Sequence, residues 1–216
     1  MIQIIEAHCL STMLVIFTAL ITPMYWFLAL PYNKAIIISW LTALLGSSIF
    51  TLSIYYGTTI KNPAIFTYIL AATWFIPLCI IWFHRQWFSN LNQRVLAGFQ
   101  IFRLLSVVFY IEMYAGHISS QFAIPAGGGD TLVGLFALYI VYHYKKLPTW
   151  AIKTLLIFGA GDIVWSYFAM PGPLQLFALA QSYEVAVFPF VFVGMFLVPS
   201  FLTFHLLSYI NLVQKK

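Results

Sequence analysis

Seven apolar stretches, each near the length of a membrane span and joined by short polar connections, leave this chain few ways to fold. They occupy residues 10–30, 35–56, 63–83, 95–116, 127–144, 151–170 and 187–211. A helix of about 20 apolar residues matches the hydrocarbon thickness of a bilayer. Inside hydrocarbon every backbone N–H and C=O needs an internal partner, and a helix supplies those partners within one segment. The expected fold is therefore all-α, a polytopic transmembrane helical bundle of about seven spans, forming one domain over residues 1–216. Composition points the same way. Only 7% of the 216 residues are charged and 62% are hydrophobic, where a soluble domain carries about a quarter charged residues.

The positive charges set the threading. With the N-terminus outside, the inner side receives Lys34, Arg85, Arg94, Lys145, Lys146, Lys153, Lys215 and Lys216, and the outer side only Lys61. Eight against one follows the positive-inside bias, so the C-terminus is expected in the cytoplasm. The basic residues sit at segment ends and not in a patch, so the net charge of +5 reads as topology and not as nucleic-acid binding. No Lys or Arg precedes Lys34, so a basic-led cleaved signal is not expected. Cys9 and Cys79 fall near opposite faces, which argues against a disulfide between them. The bilayer is the expected partner, with a small solute or cation possible. Oligomeric state and cofactor are not legible.

Polar residues inside the spans carry the remaining information, because they are costly there and face the bundle or a cavity. In the fourth segment Gln100, Arg103, Ser106, Tyr110, Tyr114 and His117 share about a third of the helix circumference at 100° per residue. Glu112, nine residues after Arg103, points away and is expected near the outer headgroups. The fifth and sixth segments repeat one spacing, Gly127-x-x-Asp130-x-x-x-Gly134-x-x-Ala137 and Gly159-x-x-Asp162-x-x-x-Ser166-x-x-Ala169. Small residues at this spacing let helix backbones approach, so Gly127, Gly134, Gly159 and Ser166 are expected to pack the two helices together. Counting about 1.5 Å per residue, Arg103 and Asp162 reach similar depth, while Asp130 sits about 7 Å further out. Arg103 is thus expected to pair with Asp162, with Ser106 or Tyr110 adding hydrogen bonds. Whether Arg103, Asp130, Asp162, Tyr110 and His117 form a structural bridge or a working ion relay stays open.

Residue types leave two further chemistries in view. Glu6, His8, Cys9, His117 and Asp130 all lie toward the outer side and offer mixed N, O and S ligands. His143 and His205 match in depth for a haem. No spacing in either set is diagnostic, and no metal is assigned.

Phe102-Arg103, Ile124-Pro-Ala-Gly-Gly-Gly-Asp-Thr-Leu-Val-Gly134, Phe158-Gly-Ala-Gly-Asp-Ile163, and Phe188-Pro189 through Val198-Pro199 to His205 carry a resemblance. Over about half its length the chain resembles an uncharacterised family of small bacterial multi-pass inner-membrane proteins. The likeness implies a bacterial inner-membrane location and no particular activity. Gly-x-Gly-Asp also resembles a motif of presenilin-type intramembrane aspartyl proteases, but the Tyr-Asp pair and Pro-Ala-Leu sequence of those enzymes are missing. The seventh segment has no lysine for a retinal Schiff base, and no helix carries the paired histidines of a ceramidase-type zinc hydrolase. The leading expectation is a transporter or ion-coupled solute-binding protein. An outward-opening intramembrane enzyme and a structural or assembly subunit are the alternatives.

Overall fold

The computed structural model describes residues 2–31, 63–88, 90–166 and 192–214. Among them every regular element is helical. Helices α1 (Ile2–Ala29), α2 (Pro63–Phe83), α3 (Gln93–Gly98), α4 (Val107–Tyr114), α5 (Ser120–His143), α6 (Thr149–Val164) and α7 (Val198–Gln214) succeed one another in chain order. Four stretches are long and apolar enough to cross a membrane: Cys9–Phe27, Gln93–Tyr114, Ser120–Lys146 and Val193–Gln214. The second apolar segment, the end of the sixth, the start of the seventh, Lys34, Lys61 and Glu184 lie outside the described residues, as do the side chains of Glu6 and His8.

The surface is inverted relative to a water-soluble protein. Leu10, Met13, Phe17, Leu20, Met24 and Phe27 on α1 are exposed, while Ser11, Thr18 and Thr22 on its other face are buried. Thr18 and Thr22 donate to the carbonyls of Leu14 and Thr18 one turn back, which satisfies the hydroxyls without water. Large apolar side chains outward and small polar ones inward are what a hydrocarbon solvent selects.

Helix α7 is the central post. It packs on α2, α3 and α6, and its buried face runs through Phe201, Phe204, Leu207 and Ile210. Pro199 comes after a π turn over Val193–Leu197. The wider turn absorbs the backbone hydrogen bond that proline cannot make. Near the end of α7 the Gln93 amide donates to the Ser208 hydroxyl, and Asn211 donates to Gln93 Oε1 at 2.7 Å. These three buried polar residues tie α3 to α7.

Two departures from the sequence reading reposition the polar residues. First, the fourth segment is not one α-helix. Between α3 and α4, Phe99–Ser106 form a 3₁₀ helix, in which residues three apart eclipse. Gln100, Arg103 and Ser106 therefore line up on one edge, all buried. Tyr110 and Tyr114 lie on α4, where each residue turns 100°, and His117 lies beyond its end. All three drift off that edge, and Tyr114 and His117 end exposed. Second, α5 begins at Ser120 and not near residue 127. Pro125 lies in its second turn and removes only one ladder bond. The earlier start carries Asp130 about 15 Å into its helix, far deeper than a connection over 117–126 implies.

The small residues also serve other neighbours. Helices α5 and α6 do pack together, but an added Cβ on Gly127 would meet the Tyr110 ring at 3.0 Å. On Gly134 it would meet Leu104, including its backbone nitrogen at 2.9 Å. Both glycines serve contact with the fourth segment. Enlarging Gly134 to leucine should therefore loosen α5 from the 3₁₀ stretch and lower the melting temperature in detergent. An unchanged melt would mean this face makes no essential contact.

Candidate functional site

The 3₁₀ edge, α5 and α6 converge on Arg103. Its side chain is fully covered, at 0% exposure, and each donor position finds an oxygen. Nε donates to Asp130 Oδ1 at 2.5 Å, Nη2 to Asp162 Oδ2 at 2.5 Å, and Nη1 to the carbonyl of Gly159 at 2.8 Å. The guanidinium carbon lies 5.8 Å from the centre of the Phe201 ring, within cation–π range. A planar fork of donors suits this division between two acids better than a lysine would. The expected pair of Arg103 and Asp162 is thus present, and Asp130 joins it. Its assignment to a shallower level is corrected by the early start of α5.

The close approach depends on missing side chains. A Cβ on Gly129 would fall 1.7 Å from Asp162 Oδ1 and 2.5 Å from its Cγ, so the carboxylate rests directly on the α5 backbone. A Cβ on Gly159 would fall 2.6 Å from the His205 ring and 3.0 Å from Arg103 Nη1. Gly159 thus lets α7 and the arginine reach α6. The repeated spacing of small residues does not include Gly129; the triple glycine before Asp130 is its one signal in the sequence.

The supporting polar residues divide differently from the sequence expectation. Ser106 donates to the carbonyl of Gly127 at 3.1 Å and lies 3.0 Å from the Thr131 hydroxyl. Tyr110 donates to the carbonyl of Ile124 at 3.4 Å. Both lace the fourth segment to α5, and neither bonds the Arg103 pair. Ser166 lies just past α6 in π geometry; it is 3% exposed and its hydroxyl has no hydrogen-bond partner among the described residues. His205 is buried against Gly159 with both ring nitrogens likewise unpartnered.

Glu112 and His117 form a separate pair. His117 Nδ1 lies 2.7 Å from Glu112 Oε2, with the carboxylate fully buried and the imidazole 41% exposed. The expectation that Glu112 reaches the headgroups is corrected. It does point off the arginine edge, but the turn after α4 folds His117 back over it. His117 is accordingly apart from the Arg103 centre.

The same placements bear on the metal and haem readings. Asp130 is bonded to Arg103 and His117 to Glu112, and no three His, Cys, Asp or Glu among the described residues come together in ligating position. His143 sits at the end of α5 beside the carbonyl of Tyr139, while His205 is held inside against Gly159. The two aspartates are bridged by the guanidinium, each through one oxygen.

A helical protein with several membrane-length apolar helices, arranged about a buried arginine and two aspartates, is what fold and site together define. The chain belongs to the family described as Domain of unknown function (DUF8737), whose model matches residues 78–213. That span contains the whole Arg103 cluster. No curated protein and no solved structure matches the chain.

Proposed function

We propose that this protein is a transporter, or an ion-coupled small-solute binding protein, of the bacterial inner membrane. It works through Arg103, Asp130 and Asp162. It crosses the bilayer about seven times, with the N-terminus outside and the C-terminus cytoplasmic. The eight-to-one distribution of Lys and Arg supports that threading, and the resemblance to small bacterial inner-membrane proteins supports the location.

One observation carries the functional reading. A single guanidinium serves two carboxylates, each at 2.5 Å. With both acids ionised the cluster sums to one net negative charge in an apolar bundle. An uncompensated charge in such a setting costs at least several kcal/mol. The cluster therefore favours uptake of one positive charge, as a proton or a small cation, and releases it only when the surroundings change. That is the elementary step of an ion-coupled carrier. Two voids touching the cluster are about 30 and 20 Å³, room for about one water each, as an occluded state of a carrier would require. The same tightness is what favours the second reading, a structural or assembly subunit whose charges only fix packing.

Reconstitution in liposomes separates the two. Full-length protein should dissipate an imposed proton or sodium gradient. Asp162→Asn should reduce that flux to the level of empty liposomes while remaining folded. Wild-type flux no faster than that of empty liposomes, for both ions, would leave the structural reading.

A further inference from the structure

We infer that the void between Asp130, Asp162 and Ser166 is a binding site for one sodium ion. The inference rests on the ion-coupled reading and names its ion. The void has a volume of about 20 Å³, and its polar lining is Arg103, Asp130, Asp162 and Ser166; Phe109, Phe122 and Phe201 are among the apolar residues that close it.

Three features converge on a cation. Arg103 uses one oxygen of each aspartate, Asp130 Oδ1 and Asp162 Oδ2, which leaves Asp130 Oδ2 and Asp162 Oδ1 outside the ion pair. Ser166 lines the same void and is 3% exposed, and its hydroxyl has no partner among the described residues. A buried hydroxyl without a hydrogen bond costs about 1–3 kcal/mol, and lone pairs that accept nothing are free to ligate. The third feature is charge. The described cluster falls a single positive charge short of neutrality, and His205 does not provide it. Its ring lies beside Arg103 with neither nitrogen facing an acceptor, so a protonated ring would place two unanswered N–H groups next to a guanidinium.

Size and charge then select the ion. The void holds about one water, so an ion enters without its hydration shell. Magnesium keeps several waters and calcium takes about 6–8 oxygens, and either would leave the site with a net positive charge. A bare potassium ion is about the size of a water and would fit, but two carboxylate oxygens are strong-field ligands that hold the smaller sodium ion more tightly. A proton would balance the charge, but it needs neither the room nor the unpartnered serine. A bare hard monovalent cation smaller than a water uses all three features.

The test uses full-length protein in detergent, at fixed pH and ionic strength, with choline replaced stepwise by sodium or by potassium. The melting temperature should rise with sodium and keep rising logarithmically past saturation, as mass action requires. Potassium should do much less. Ser166→Ala should shift the sodium midpoint by about tenfold, the worth of one hydrogen-bonding ligand to a charge. Asp162→Asn, which leaves the cluster neutral, should remove the sodium response and still melt cooperatively. Equal melting in sodium, potassium and choline would overturn the site, as would an unchanged midpoint in Ser166→Ala. The liposome assay keeps the two levels apart. A proton flux that needs no sodium keeps the carrier and removes the sodium site. A sodium-dependent melt without any flux keeps the site and removes the carrier.

Discussion

Arg103→Met is expected to cost far more than removing either acid. Methionine conserves much of the volume, so the cavity penalty is small, and what remains is electrostatic. Asp130 and Asp162, each bonded to the guanidinium at 2.5 Å in the native protein, would both stay inside the bundle with no cation. Stranding one partner of a buried ion pair costs about 3–5 kcal/mol, and here there are two. The yield of folded protein should collapse, or the melt should fall by many degrees. Asp130→Asn and Asp162→Asn act in the opposite electrostatic sense. Each leaves one arginine facing one carboxylate, a neutral arrangement, and an amide that still accepts a hydrogen bond. Their loss should be about 1 kcal/mol, the scale of a single hydrogen bond. Pairwise additivity should fail as well. Arg103→Met with Asp162→Asn recovers only part of the loss, because Asp130 is still stranded. The triple variant with Asp130→Asn should recover more. An Arg103→Met protein as stable as Asp162→Asn would show that the charges do not depend on one another.

The cost of stranding charge is also why the amino-acid sequence reveals this pairing. Few acids lie inside the spans, with only five Asp and Glu in the chain, so a deep arginine has few partners to choose from. Depth can be counted at about 1.5 Å per residue. Helical class, the apolar segments and the inward face of Arg103 emerge from the same counting. Local helix type does not. Nothing in Phe99–Ser106 marks eight residues of 3₁₀ geometry, yet that geometry decides that Gln100, Arg103 and Ser106 share an edge while Tyr114 and His117 leave it. The depth of Asp130 escapes the count for a related reason. The apolar stretch reads as starting at residue 127, whereas the helix has already begun at Ser120. Angle alone sends Glu112 toward the headgroups, and a turn five residues later supplies its partner. Such errors come from local helix type, helix start and turn geometry, which counting at a fixed angle and rise does not contain.

The two Gly-x-Gly-Asp motifs look equivalent in sequence, and they are expected to respond oppositely to the same substitution. In each, the second glycine immediately precedes the aspartate. Alanine in place of a mid-helix glycine ordinarily gains about 1 kcal/mol from backbone entropy. At Gly161 an added Cβ meets nothing within 4 Å, so Gly161→Ala should be neutral or stabilising. At Gly129 the added carbon would lie 1.7 Å from Asp162 Oδ1 and 2.5 Å from Cγ. The aspartate has only two side-chain torsions, and its other oxygen is held by Arg103, so it cannot swing away with the ion pair intact. Gly129→Ala should therefore cost about 1–3 kcal/mol in overpacking, with more added if the bond to Nη2 is lost. The origin of that cost can be isolated. In an Asp162→Ala background the obstructing carboxylate is gone and Arg103 still holds Asp130, so Gly129→Ala should become nearly free. The coupling between the two positions should then approach the whole penalty of the single variant. Equal penalties in both backgrounds would mean that α5 is disturbed at Gly129 for a reason other than the carboxylate resting on it.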